Sequence, residues 1–438
     1  MRITRRSFLK GTTASALLSG GHVLALANRA FAAVGSAPPV LVLVNLAGGN
    51  DLLNTIVPLD DVGGVQQRTL YEDKRPDLAI PLSSLATMTL DPDPGLGTGL
   101  AFHPSLTGLK QLYDQGRVAC VLGAGIAGNS LSHFEAEKAW FFGRPNVLVD
   151  PTGWIGRQLD LAASSLPQAV SFGGEVSPVF HADSADALGV RSVASFDLPD
   201  DPLGEWRDAA ARTATLRAIL AESRSGVAAK IARSGDILLD QAGFLNDVAT
   251  TEWGSALEAE GWGPGRDLRE IASLLRHDTL NPAAASGFSF YHLRIGGYDT
   301  HSQQGSLDPS WGHPRLLTDL SRWLHGFQQD LDTIGVSERV LTLVYTEFGR
   351  RAAQNATGRD AGTDHGAGGG LLLIGDRAVG GMYGRMPRLD QLDETGSLEV
   401  TTDFRGVYAA LIDDFLGGDH TGVLPGGPFT KLPVIQSL

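Results

Sequence analysis

The chain has 438 residues, enough for one large domain or two smaller ones with a substantial core. Its 35 basic and 49 acidic side chains leave a net charge of −14, and residues 1–32 hold five basic side chains and no acid, so the remainder carries thirty against 49, or −19. Such a surface repels nucleic acid and anionic lipid, and any anionic substrate must be held by local cations or a metal.

Residues 1–33 read as an address. Thr4-Arg5-Arg6-Ser7-Phe8-Leu9-Lys10 matches the twin-arginine export signal, a mildly apolar stretch follows, and Ala30-Phe31-Ala32 fits a small-x-small cleavage site. Gly20, Gly21 and His22 interrupt that stretch, which argues against an uncleaved membrane anchor. The expectation is a periplasmic or otherwise exported protein with no membrane span in the mature chain and residues 34–438 forming one domain.

Val40–Leu46 is an apolar run, read as a first strand, and it opens into Gly48-Gly49-Asn50-Asp51. Asp51 then stands at the strand's C-terminal edge, where open α/β sheets bind ligands; the other reading is that Asn50 and Asp51 only make the turn. Residues 60–100, rich in Pro, Asp and Gly, read as an excursion or lid. Pro104–Tyr113 is helical in pattern, and Val118–Leu122 is a strand holding Cys120. This lone cysteine excludes an internal disulfide and a zinc–thiolate cluster, and its apolar run implies a buried, inert thiol.

Gly123-Ala124-Gly125-Ile126-Ala127-Gly128 spells G-x-G-x-x-G after a strand, with Asp150 following a second short run, Val147–Val149. This is the dinucleotide-binding pattern. Its helix should begin within the glycines, whereas the capping pattern Ser132-His133-Phe134-Glu135 starts one later. Ser132 either caps that helix or presents a hydroxyl to an anion at its N-terminus, and His133 is either a nearby donor or a surface residue. Thr152–Ala163 reads as a helix and Gln168–Phe172 as a strand, whereas residues 200–285 read as a helical insertion.

Phe288–Ile295 returns to strand pattern and ends in Gly296-Gly297-Tyr298-Asp299-Thr300-His301. In extended backbone Asp299 and His301 point to one side, as two ligands of one ion would. His313–Ile334 is a helix with an apolar face. Val340–Tyr345 is a β-branched strand that runs into Thr346-Glu347-Phe348-Gly349-Arg350, and a glycine-bearing loop then presents Asp364 and His365. Gly368–Ile374 gives a last strand and Thr401–Phe415 a terminal helix.

Asp51, Asp299, His301, Glu347, Asp364 and His365 thus fall at strand ends, with Ser132 at a helix start. Carboxylates with imidazoles and no thiolate suit Zn, Mn or Mg, as one ion or two. Arg350 offers a fixed cation for an ester's non-reacting oxygens. GGNDLLN, SLSHFEAEK, GYDTHSQQ, YTEFGRR and GTDHG, in that order, resemble the bacterial family catalogued as domain of unknown function 1501, itself similar to the alkaline phosphatase and sulfatase superfamily. The resemblance implies a three-layer α/β/α fold with a mostly parallel central sheet and a bimetal site. In that site Asp51, Asp299, His301, Glu347, Asp364 and His365 would hold metal, Ser132 would be the nucleophile, and Asn50, His133 and Arg350 would meet substrate. Phe348 stands where the superfamily has a histidine, which weakens one metal position.

Three functions follow. The first is an exported hydrolase of phosphate or sulfate esters, on a small molecule or carbohydrate. The second is an exported binding or assembly protein with a reduced metal site and an exported protein partner, and the third is a nucleotide-dependent oxidoreductase using Gly123–Gly128.

Overall fold

The computed structural model describes residues 37–145, 152–162, 167–193, 209–222, 225–258 and 263–436. Residues 1–33, read above as an export address, Val147–Val149 and Asp150 lie outside these residues.

Strand β1 (Val40–Leu46) is buried along its whole length. Its alternate side chains feed two cores: Val40, Val42 and Val44 face one side, and Leu41 and Leu43 the other. A run apolar on both faces is stable only inside a sheet covered on both sides. That sheet gathers β5 (Val118–Gly125), β6 (Ala169–Phe172), β7 (Ala187–Val190), β8 (Phe290–Ile295), β9 (Val340–Tyr345), β12 (Gly369–Ile374), β13 (Gly381–Gly384) and β14 (Thr402–Asp403) around β1. The order is β13-β5-β12-β9-β1-β8-β6-β7, with β14 pairing β5. β12 is antiparallel to both its neighbours, and the other pairings are parallel.

One face is covered by α3 (Thr107–Asp114), α8 (Pro264–Leu280) and α9 (Gly312–Ile334), through Leu109, Ile271 and Leu317 among others. The other is covered by α4 (His133–Phe142), α5 (Trp154–Ala162) and α10 (Arg405–Ala410), through Trp140, Ile155 and Val407. The molecule is therefore a three-layer α/β/α fold with a mixed, mostly parallel sheet. Residues 209–280 include two further helices, α6 (Ala209–Leu220) and α7 (Gly226–Thr250). Among the described residues no helix is long and apolar enough to cross a membrane.

Residues 60–100 are no free lid. They contain α2 (Gln67–Lys74) and β3 (Thr89–Leu90), which pairs with β4 (Leu100–Phe102) in a small sheet completed by β2 (Ile56–Pro58), and they place Tyr71, Ile80, Leu85 and Met88 in the core. Apolar anchors set singly among turn residues left no periodicity to read. The terminal element also differs from the expected helix, because Thr402 and Asp403 pair with β5 before α10 begins and a π-helical turn, Leu411–Phe415, ends it.

The dinucleotide reading fails on the same strand. β5 continues through Gly123 to Gly125 because β12 and β14 both pair with Ala124. A Cβ at Gly123 would overlap the Thr401 hydroxyl, so this backbone is packed against protein where a pyrophosphate would have to lie. The helix begins only at His133.

Candidate metal centre

The carboxyl ends of β1, β8 and β9 meet at one rim of the sheet. β1 leads into Ala47-Gly48, and Gly48 has φ +125°; a Cβ there would overlap the Asp299 amide nitrogen in the loop that leaves β8. Only glycine permits both the conformation and the approach.

Asp299 is the hub of the rim. Its Oδ1 accepts from Arg350 at 2.7 Å and lies 3.1 Å from His365 Nε2 and 3.2 Å from His301 Nε2. Its Oδ2 lies 3.5 Å from His133 Nε2. Desolvation would raise its pKa, but the Arg350 hydrogen bond, then His365 and the Arg350 charge, outweigh it and hold the carboxyl down to about 2. Asp299 is therefore ionised, and with 47% of its side chain exposed it keeps an open face to solvent.

Each of the three histidines has its far nitrogen committed. His365 Nδ1 lies 2.9 Å from the Leu131 carbonyl, which only accepts, so the proton sits on Nδ1. His301 Nδ1 lies 3.0 Å from Asp364 Oδ1, a carboxylate whose pKa is lowered, first by the Asn355 side chain. His133 Nδ1 lies 2.7 Å from Glu347 Oε1, which also accepts the Gly48 amide. Three Nε2 lone pairs therefore converge on one carboxylate, and those of His301 and His365 stand 2.9 Å apart. Lone pairs that close repel unless positive charge lies between them. Burial, first among several causes, lowers the His365 pKa, which disfavours a proton in that role. A metal ion satisfies every partner at once, and histidines whose second nitrogen is held by a carboxylate or carbonyl are the usual form of such ligands. The ligand atoms of His133, Asp299 and His365 all lie within 4.8 Å of one another.

Other expected site residues are engaged elsewhere. Asp51 forms a bidentate ion pair with Arg75, 2.6 and 3.0 Å, with both side chains fully buried. Its oxygens also accept from Gln304 and from the Leu53 amide, so its charge and hydrogen-bonding capacity are spent inside the protein. Asn50 is buried beneath the rim, bonded to His313 and Thr55. Arg350 is fully buried: it donates to the Gly48, Gly49, Tyr298 and Thr363 carbonyls as well as to Asp299, leaving nothing for a substrate. Its neighbour Arg351, 37% exposed and 3.7 Å from Asp364 Oδ2, is the arginine with access to solvent. Glu347 is buried behind His133, and Asp364, its side chain 40% exposed, stands behind His301. Ser132 is exposed at the N-cap of α4 and its hydroxyl makes no cap bond. It lies between Leu131 and His133, both of which touch the cluster. Phe348 packs its ring against His133 and His365, centroids 5.0 and 4.5 Å away, and so braces two imidazoles.

Residues 281–412 match the family described as a protein of unknown function, DUF1501. The DUF1501 match spans Asp299, His301, Glu347, Asp364 and His365, whereas His133 and Ser132 precede it. No curated protein matches the chain. Among solved structures, Ps i-CgsB in complex with k-i-k-neocarrahexaose aligns over 89% of this chain and 75% of its own, at 10% identity and TM-score 0.38. The PsFucS1 sulfatase from Pseudoalteromonas sp. aligns over 84% and 69%, at 11% identity and TM-score 0.31. The phosphonate monoester hydrolase SpPMH from Silicibacter pomeroyi aligns over 91% and 78%, at 10% identity and TM-score 0.34.

Sequence reasoning missed Arg75, Gln304, Asn355 and Arg351. Gln304 and Arg351 lie inside the quoted motifs but carried no pattern of their own, and Arg75 sits in a polar stretch with no signal.

Proposed function

We propose that the protein is an exported, metal-dependent hydrolase of phosphate or sulfate esters. The observation that carries this reading is the convergence of three imidazole Nε2 atoms and one ionised carboxylate on a solvent-open point at the sheet's rim. Such a nitrogen-rich, thiolate-free set suits Zn or Mn ahead of Mg.

His133, Asp299, His301 and His365 would hold the ion, with Glu347, Asp364 and the Leu131 carbonyl fixing the three tautomers. A divalent ion held there supplies Lewis acidity toward an ester oxygen. Arg350 keeps Asp299 ionised and in place, and Arg351 offers positive charge to the substrate's non-reacting oxygens. Ser132 presents its hydroxyl at the N-terminus of α4, where the helix end favours an anion. The ester class and a small-molecule or carbohydrate substrate rest on the motif resemblance, and export rests on Thr4–Lys10.

One observation favours the second reading, a binding or assembly protein with a reduced site: with Asp51 locked to Arg75, the rim offers donors for one ion and not two. A panel of aryl phosphates and sulfates, assayed with metal and with chelator, separates the two. Metal-dependent turnover is expected, with Ser132→Ala losing about a thousandfold or more in kcat while keeping its metal. Metal-loaded protein inert toward every ester would remove the hydrolase and leave the binding role.

A further inference from the structure

Gln304 is fully buried and every polar atom it carries is used. Its Nε2 donates to Asp51 Oδ2 at 2.6 Å. Its Oε1 accepts from Thr363 Oγ1 at 2.7 Å and Thr300 Oγ1 at 3.1 Å. Its amide donates to the Ala361 carbonyl at 2.9 Å, and its carbonyl accepts the His313 amide at 2.7 Å.

The positions of the two threonines give these bonds their meaning. Thr300 lies between Asp299 and His301, and Thr363 immediately precedes Asp364 and His365. The two segments are also joined directly, Thr363 N–H to the Thr300 carbonyl at 3.0 Å. One primary amide thus ties the two loops that carry most of the cluster to the Asp51–Arg75 ion pair, itself immobile because Arg75 also donates to the Ala352 and Arg351 carbonyls. An uncharged group with a donor for Asp51 and an acceptor for two hydroxyls is needed there. Glutamate would set a second carboxylate against Asp51, and an apolar side chain would take the acceptor from two buried hydroxyls and one donor from Asp51. The backbone beside it is strained as well: Gln303, with φ +51°, is the one non-glycine residue of positive φ among the described residues. Such a conformation persists where its surroundings over-determine it.

We propose that Gln304 is a positioning residue of the metal centre, setting the spacing of Asp299, His301 and His365 by fixing Thr300 and Thr363 to Asp51. The proposal rests on the metal reading above. It gives the Asp51–Arg75 pair a function as the anchor of the centre, although neither residue reaches the ion.

The test measures Zn affinity by competition titration and the ligand-field spectrum of the Co(II)-loaded protein, in wild type, Gln304→Met, Thr363→Val, the double variant and Tyr71→Phe. Tyr71 bonds Asn54 in the same buried network on the side away from the loops, so its variant controls for lost stability alone. Gln304→Met and Thr363→Val are expected to weaken Zn binding about 10–100-fold and shift the Co(II) bands. The double variant should be little worse than Gln304→Met, because both remove one link, and Tyr71→Phe should keep both properties. Folded Gln304→Met and Thr363→Val proteins with wild-type affinity and spectrum would overturn the proposal. Should Gln304→Met not fold, Thr363→Val alone decides by the same criteria. A wild type that takes up no stoichiometric Zn removes the metal reading itself, and this proposal with it.

Discussion

The Nε2 atoms of His301 and His365 face each other at 2.9 Å, each with its proton committed to the opposite side of its ring. That geometry is unfavourable for two neutral imidazoles and favourable for two ligands of one ion. Purified protein should therefore retain about one equivalent of divalent metal after dialysis. His301→Ala and His365→Ala should each lower that content sharply, as read by elemental analysis. Full metal content in both variants would move the ion elsewhere.

Asp51→Asn separates an anchor from a ligand. Asparagine keeps the shape and the cap on the helix Leu52–Thr55 but leaves Arg75 buried without a counter-charge. Removing one partner of a buried pair costs about 3–5 kcal/mol, so the urea midpoint should fall steeply. A direct ligand would give the opposite pattern, with metal lost and stability of the metal-free protein little changed.

Gly48→Ala should damage the centre without replacing any proposed ligand. At φ +125° the new methyl overlaps the Asp299 backbone, so β1 and the β8 loop must separate. Reduced thermal stability together with weakened Zn binding is expected. A variant with wild-type affinity would show that this approach is not what positions Asp299.

Buried histidines set an acid limit on stability. Burial, with smaller charge effects, holds His292 and His313 down to about 3. An unfolded histidine titrates near 6.5, so between about pH 6.5 and pH 3 the unfolded chain binds protons that the native state refuses. Stability is fully present above the upper value and lost as pH falls through this window, by about 1.4 kcal/mol per pH unit for each histidine. His292→Leu should flatten that slope between pH 6 and 4, as measured by urea denaturation. An unchanged slope would show that His292 is not kept neutral by the fold.

Much of the layout was legible because it is written in local pattern. Val40–Leu46 and Val340–Tyr345 are apolar on both faces, and only the interior of a covered sheet accommodates such runs. The polar groups just after them were legible for the same reason, since strand ends of an open sheet are where ligands bind. Their division of labour was not. Glu347 and Asp364 read as ligands but lie behind His133 and His301, because a carboxylate looks the same in sequence whether it faces an ion or a ring nitrogen.

By itself, the sequence determined the strands that need a sheet covered on both faces, the rim at which its polar groups gather, and the absence of thiolate from that rim, since periodicity and residue type are local properties of the chain; the mostly parallel order came from the family resemblance. Only the tertiary structure decided that Asp51 belongs to Arg75 and Arg350 to four carbonyls, and that His133 joins Asp299, His301 and His365. Those pairings join residues up to 302 positions apart. Which of two equally plausible partners a charge takes depends on burial and distance, which no stretch of sequence carries.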